Sequence, residues 1–356
     1  MSSGTGSNAV PQRFVKDFRQ LIDRRLPVEW SRDMRRLMLI FTLICATTHC
    51  VLSIFFVNIS YLDLAKYASG TEVRPFQHRL LMIPFIRWAE ANHALQVLAV
   101  RFGKFVPQSE PMSAAKLGCL ILSILLLNLF GLWTIRAAGK LGVRQWWLIW
   151  TITIAILYAS YGARYEQNLW YPYDIPHMVF FGVATIFLLQ NRPGFFMAFL
   201  TVDIFLRETS IFLVVVAAFL QFRSKLWRLV LGILAVVWAL SRYLAAHLYP
   251  DLIFRGRIPW YKFLAPWHIP QLLSIVGFLW VPVWLGRRYL SSQQQLALYV
   301  ASGLMIVTFY FGAWNETRVW IEWTALFAVL AALELQSHFA ASGEARKDPI
   351  DALSYE

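Results

Sequence analysis

Four short polar segments interrupt the apolar runs of this chain, and each carries residue types that grip phosphate or move a proton. They are Arg74-Pro75-Phe76-Gln77-His78-Arg79, Tyr171-Pro172-Tyr173-Asp174-Ile175-Pro176-His177, Arg207-Glu208-Thr209 and Asn315-Glu316-Thr317-Arg318. Arginine presents paired N–H donors that match phosphate oxygens, and a carboxylate beside it can act as a base toward a hydroxyl. Ionisable groups next to hydrocarbon cost free energy, so four such segments among long apolar runs point to a shared site. Structural readings compete at each position. Arg74 to Arg79 also suits headgroup binding, and Tyr171 to Pro176 suits an aromatic belt with a proline turn. The pairs Asp203/Arg207 and Arg318/Glu322 are spaced i,i+4 and would serve as ion pairs inside a bundle.

The elements that must position these segments follow from composition. Of 356 residues, 58% are hydrophobic and only 15% charged, and the mean hydropathy is +0.52. A soluble domain carries roughly 25% charged residues. Several stretches approach the ~20 apolar residues that cross a bilayer. The expected fold class is therefore all-α, a polytopic transmembrane helix bundle of about ten membrane segments. The net charge of +13 reflects basic tails and loops that set topology and touch anionic membrane lipids. No nucleic-acid-binding motif is present, so no nucleic-acid partner is expected.

Residues 1–36 are basic and are expected in the cytoplasm, as an amphipathic surface helix over Phe14 to Leu26 or as a basic tail. The transmembrane domain is read as residues 37–336, followed by a cytoplasmic tail at 337–356. The first apolar run starts near Leu37, has spanning length and lacks a small-residue cleavage site after it, so no cleavable signal is expected. Spans are predicted at Leu37–Val57, Leu117–Ala137, Gln145–Tyr161, His177–Gln190, Leu226–Ala246, Ile269–Leu285, Gln293–Gly312 and Val319–Gln336. An external loop at 58–116, broken by Pro84, is predicted to carry helices that lie in the interface. Residues 194–222 comprise two apolar runs of about twelve residues, each reaching only ~18 Å as helix. Two short helices meeting at Arg207-Glu208-Thr209 solve this mismatch, provided that other helices bury the break. In this topology every polar segment lies at, or points toward, the external ends of helices.

Other chemistry finds little purchase. The seven histidines show no paired ligand spacing, and there is no Cys-x-x-Cys, so no metal site is assigned. A divalent cation held by carboxylates, as phosphate substrates often require, stays open. No P-loop, Gly-x-Ser-x-Gly or GxGxxG element occurs. Cys45, Cys50 and Cys119 lie inside apolar runs and are expected as packing residues. His49 reads as a hydrogen-bonded packing residue, and Arg242 as a side chain snorkelling to the outer surface.

Asp63 in Tyr61-Leu62-Asp63-Leu64 falls just outside the first span, ahead of a long loop of surface helices. This layout resembles the GT-C glycosyltransferases, membrane enzymes that take a sugar from a polyprenyl-phosphate carrier. The stretch Arg74-Pro75-Phe76-Gln77-His78-Arg79-Leu80-Leu81, with Pro84, resembles an Arg-Leu-x-x-Pro pattern in many bacterial proteins of this type, with one more residue before the proline here. The Arg-Glu-Thr and Asn-Glu-x-Arg segments also resemble ones in bacterial polytopic membrane proteins. The paired acidic motif of the family, two carboxylates one residue apart, is missing around Asp63. The resemblance makes Asp63 the expected catalytic base, with Glu208, Asp174 and Glu166 as alternates, and Arg74, His78, Arg79, Arg164, Glu166, Tyr173, His177, Arg207, Glu316 and Arg318 are read as substrate-binding residues. The resemblance implies an enzyme of the bacterial inner membrane with both termini cytoplasmic, a polyprenyl-phosphate-linked sugar as donor, and a glycan or lipid acceptor at the periplasmic face. A membrane transporter or lipid-linked-sugar flippase, and a non-catalytic envelope-assembly subunit, are the rival readings.

Overall fold

The computed structural model describes residues 32–60, 62–72, 76–105, 112–162, 169–249, 274–311 and 317–344. Their regular secondary structure is helical apart from a two-residue parallel bridge, β1 (Ile59–Ser60) with β2 (Leu169–Trp170). The chain divides into two compact units, Met1–Cys45 and Ala46–Glu356, and all the geometry below lies within the second.

Among the described residues, three helices are long and apolar enough to cross a membrane: α1 (Arg32–Val57), α5 (Ala114–Lys140) and α10 (Lys225–Leu248). At 24 to 27 residues they measure ~36–40 Å. Their faces are sorted in a way that suits lipid. On α5, Ile121, Leu125, Leu129 and Leu132 are exposed at three- and four-residue spacing, while Ser123, Gly131 and Thr134 are buried. On α10, Leu226, Leu229, Ile233, Val236 and Leu240 face outward, and Trp227, Leu231, Leu234 and Ser241 face inward. Small and hydroxyl residues inside with leucines outside is the packing expected where surroundings are as apolar as the core. Some buried hydroxyls are satisfied within their own helices, as in Thr134 to the Gly131 carbonyl at 2.7 Å. Thr153 likewise bonds the Ile149 carbonyl at 2.8 Å.

The segment following β1 forms short helices: α2 (Leu64–Ser69), α3 (Met82–Ala91) and α4 (His93–Gly103). None approaches spanning length. Pro84 is tolerated because it sits in the first turn of α3, where no intrahelical donor is lost. Asn92 ends α3 and caps α4, its Oδ1 accepting from Leu95 N at 3.1 Å. The rest of the bundle comprises α6 (Leu148–Gly162), α7 (Asp174–Leu189), α8 (Pro193–Ile204), α9 (Ile211–Gln221), α11 (Trp280–Leu285), α12 (Ser292–Phe311) and α13 (Thr324–Glu344).

The break foreseen in residues 194–222 is present. Between α8 and α9 the backbone turns at Phe205–Arg207 and re-enters through a 3-10 turn at Glu208–Ser210. Two expectations are corrected. A single span at Ile269–Leu285 is not what residues 274–285 form. Val276, Gly277 and Phe278 have φ of 51°, 63° and 64°, and the helix that follows is only six residues long. Gly277 permits this turn and packs close to the Ile156 backbone; a left-handed run cannot continue an α-helix. Likewise, Val319–Gln336 is not one helix, because Thr317–Trp323 is a 3-10 segment that precedes α13.

Gly131 lets α5 meet α6. A Cβ at this position would fall 2.1 Å from Cε2 of Trp150, which is wholly buried and donates to Thr47 Oγ1 at 2.8 Å. At Gly139 a Cβ meets nothing within 4 Å. Gly131→Ala is therefore expected to destabilise by about 1–3 kcal/mol through overpacking. Gly139→Ala should be neutral or stabilising by up to ~1 kcal/mol. Thermal unfolding of the detergent-solubilised protein would measure both.

Candidate functional site

The break between α8 and α9 is surrounded by charge. Arg79 reaches it from the loop before α3 and forms a two-point ion pair with Glu208, Nε to Oε2 at 3.1 Å and Nη2 to Oε1 at 2.8 Å. The guanidinium also lies over the Tyr173 ring, 4.3 Å from its centroid. Burial disfavours the Arg79 cation, yet the Glu208 carboxylate outweighs it, with Tyr173 and Asp174 adding to the effect. The result holds the guanidinium pKa above its ordinary value. The loop itself is pinned: Tyr67 donates its hydroxyl to the Arg79 carbonyl, and Leu81 N donates to the Phe205 carbonyl at 3.1 Å. Gln77, fully buried, donates to the Tyr67 carbonyl at 3.1 Å.

A second group lies on the other side of the same turn. His177, on the first turn of α7, is fully buried, with Nδ1 2.7 Å from Asp203 Oδ1 and Nε2 2.9 Å from Glu322 Oε2. Asp203 ends α8, and its Oδ2 accepts from Ser210 at 2.7 Å. Glu322 comes from the 3-10 segment before α13, and its Oε2 also accepts from Thr209 at 2.5 Å. Arg207 Nη1 stands 3.8 Å from that same oxygen. A ring nitrogen facing a carboxylate oxygen at these distances needs a hydrogen between them. Either the imidazole is doubly protonated, or one carboxyl carries the proton. With His177 protonated, Arg79, His177 and Arg207 balance Asp203, Glu208 and Glu322. Buried charges persist when they are paired and hydrogen-bonded in this way.

The local sequence explains how these atoms meet. Pro193 starts α8, whose twelve residues climb ~18 Å and place Asp203 beside the first turn of α7. The α7–α8 connection uses Asn191 at φ 55°, and Trp227 of α10 donates to its side chain at 2.7 Å. Trp238 Nε1 donates to the Glu208 carbonyl at 2.9 Å. Arg242 does not snorkel outward as expected; its Nη2 donates to the Ile204 carbonyl at 2.9 Å, where α8 ends and accepts a cation. The β1–β2 bridge, with Phe55 stacked on Trp170 at 4.2 Å, draws the end of α1 toward the strand that leads into Tyr171–Tyr173.

Of the eight singled-out residues whose side chains are described, most are thus brought together. Arg79, Tyr173, His177, Arg207 and Glu208 share one neighbourhood. Asp174 lies beside them, buried, with Oδ2 accepting from Tyr161 at 2.9 Å. His78 is half-buried at the end of the preceding 3-10 turn. Asp63 is placed differently. Its side chain is 50% exposed, caps α2 by accepting from Ala65 N and Lys66 N, and lies 3.9 Å from Lys66 Nζ. None of the described hydrogen bonds or ion pairs joins it to the group around Glu208. Arg74, Arg164, Glu166 and Glu316, and the side chain of Arg318, lie outside the described residues. The i,i+4 pair expected between Asp203 and Arg207 does not form among the described ion pairs, because the helix ends between them and Asp203 turns to His177 instead.

Sequence reasoning assigned no role to the Asp203–His177–Glu322 contact. The available signal was lone acidic residues inside apolar runs, which need a partner wherever they are buried. Among the described residues no group of three or more His, Cys, Asp or Glu side chains is arranged to hold a metal ion. No protein-family model, curated protein or solved structure matches this chain.

The Arg79–Glu208 pair makes a specific demand. Lysine can offer neither the two-point fork nor the flat stacking on Tyr173. Arg79→Lys is expected to lower stability by about 1–3 kcal/mol, a range set below that of a fully buried pair because the Glu208 side chain is 34% exposed. Tyr173→Leu should cost less, on the order of 1 kcal/mol. Unfolding midpoints of the two variants and their double mutant would test the coupling.

Proposed function

We propose that this chain is a multi-pass protein of the bacterial inner membrane with both termini in the cytoplasm. In this reading it transfers a sugar from a polyprenyl-phosphate carrier to a glycan or lipid acceptor at the periplasmic face. The observation that carries the reading is the arginine left over at the centre of the site. Arg207 is only 6% exposed in its side chain, and its Nε and Nη1 have no hydrogen-bond partner. A buried guanidinium with unused donors suits a phosphate, whose oxygens match its fork.

The remaining side chains can be given roles on this basis. As the acceptor hydroxyl attacks the anomeric carbon, the carbon–oxygen bond to phosphate breaks and the phosphate leaves with the electron pair. Arg207 holds that developing charge. Glu208, partly exposed, accepts the hydrogen of the acceptor hydroxyl and receives its proton, while Arg79 fixes the carboxylate in place. Asp63, a helix cap exposed beside Lys66, stands outside this mechanism.

A flippase for the same lipid-linked sugar is the second reading, favoured by the fully buried His177 between two carboxylates, an arrangement suited to proton coupling. Lipid extracts of a deletion strain complemented with variants would test the main reading. The carrier-linked sugar should accumulate without the gene and with Glu208→Gln or Arg207→Ala, and return to normal with wild type. Asp63→Asn, which caps a helix as well as Asp, should also complement. Purified wild type in liposomes should release free polyprenyl phosphate from that accumulated lipid, with Glu208→Gln at least ~100-fold slower. Movement of the lipid across the bilayer without release would replace the transferase by the flippase.

A further inference from the structure

Arg242, on α10, brings a second guanidinium with a donor to spare to the α8–α9 break. Its Nη2 donates to the Ile204 carbonyl at 2.9 Å and its Nε to Ser241 Oγ at 3.2 Å. Nη1 makes no hydrogen bond among the described residues, and in this half-buried side chain it is open to its surroundings. Trp238, one turn earlier, donates to the Glu208 carbonyl at 2.9 Å. Residues four apart share a helix face, so this face of α10 presents an indole and a guanidinium to the break.

Glu208 is the charge that links Arg242 to the rest of the site. The carboxylate acts electrostatically on Arg242, and is itself acted on by Arg79 and Arg207. Arg79 takes one lone pair from each Glu208 oxygen, and each oxygen has another. The side chains also differ in depth. Arg207 is 6% exposed and stands 3.8 Å from the buried Glu322, whereas Glu208 is 34% exposed. Arg242 keeps an open nitrogen beside the exposed residues Ala239 and Tyr243.

Two substrates have to fit that gradation. In the proposed transfer Arg207 holds the donor phosphate at depth, and the acceptor brings its hydroxyl to a spare lone pair of Glu208. The acceptor atoms next to that hydroxyl then lie on the open side of Glu208, toward Arg242. A neutral group gains an ordinary hydrogen bond from Nη1. An oxyanion gains a charge-assisted one, roughly twice as strong.

We infer that the acceptor carries an oxyanion, phosphate or carboxylate, beside the hydroxyl that reacts, and that Arg242 selects for it. The inference rests on the roles of Arg207 and Glu208 in the proposed function, and names the class of acceptor which that reading leaves open.

Calorimetry on the full chain in non-ionic detergent separates the two arginines. Farnesyl monophosphate serves as donor probe. With it saturating, glucose 6-phosphate, glucuronate and neutral methyl glucoside serve as acceptor probes. Wild type should bind at least one anionic sugar ~10-fold more tightly than methyl glucoside, and the tighter of the two tells phosphate from carboxylate. Arg242→Gln should erase this preference while changing farnesyl phosphate affinity by no more than ~2-fold. Arg207→Ala should lose farnesyl phosphate and keep the preference. Arg242→Lys retains the charge and should retain most of the preference, whereas a purely structural role would make Lys and Gln equivalent. Should Arg242→Gln fail to fold, Arg242→His at about pH 8, where the ring is neutral, takes its place. Equal binding of charged and neutral sugars by wild type overturns the inference, as does a preference that survives Arg242→Gln. Loss of the preference when phosphatidylglycerol is added to the micelles makes Arg242 a headgroup site and also overturns it. An Arg242-dependent preference without any farnesyl phosphate binding supports the anion site and counts against the lipid carrier.

Discussion

The structure around the α8–α9 break depends on one electrostatic constraint: ionised side chains placed among apolar helices must find opposite charges and donors within contact distance. His177 satisfies this for two carboxylates at once, being 2.7 Å from Asp203 and 2.9 Å from Glu322. Those contacts join α7, α8 and the segment before α13 at a single point. Removing the imidazole would leave two buried carboxylates facing each other, so the position of three elements follows from one ring. Isolated ion pairs seldom add net stability when compared with apolar packing. Their value here is directional, since each contact fixes which side chains must face one another.

The same constraint gives the interrupted helix its purpose. A continuous helix from Pro193 to Gln221 would keep Asp203 and Arg207 on one face and pair them locally. Ending α8 at Ile204 separates them. Asp203 is then available to His177, and Arg207 retains donors that nothing in the described residues uses. The free end of α8 is in turn answered by Arg242, and the turn is held by Trp238 on the Glu208 carbonyl. Tertiary contacts from α10 thus keep open a conformation that local pairing would close. A buried guanidinium with donors to spare, 3.8 Å from Glu322 Oε2, is what a ligand site requires.

Packing elsewhere serves to hold this point rigid. Leucines on the outer faces of α5 and α10 leave small and hydroxyl residues for the inner faces; Gly131 makes room for the Trp150 indole, and Gly182 on α7 for Ala325 and Phe130. Arg79 stacks on Tyr173 and forks onto Glu208, while its own carbonyl is held by Tyr67. Through these links the loop between β1 and α3 becomes part of the bundle's interior.

Composition and the spacing of apolar runs were enough to specify a helical bundle with long membrane-compatible helices, because hydrophobic length is a local property. The interruption at Arg207-Glu208-Thr209 was legible for the same reason: two runs of about twelve residues cannot each span a bilayer. The grouping of Arg79, Tyr173, His177 and Glu208 was anticipated from the cost of burying charge. Which atoms pair was not. Asp203 and Arg207 look like partners along the chain, yet a bend of a few residues sends one to His177 and the other toward Glu322. Asp63 shows the converse, since an acidic residue at the start of a helix reads the same whether it caps the backbone or serves a substrate. Sequence spacing fixes what can touch within one helix. Contacts between helices depend on where each one stops and turns, and the folded chain alone decided those endpoints, by bringing His177 between Asp203 and Glu322.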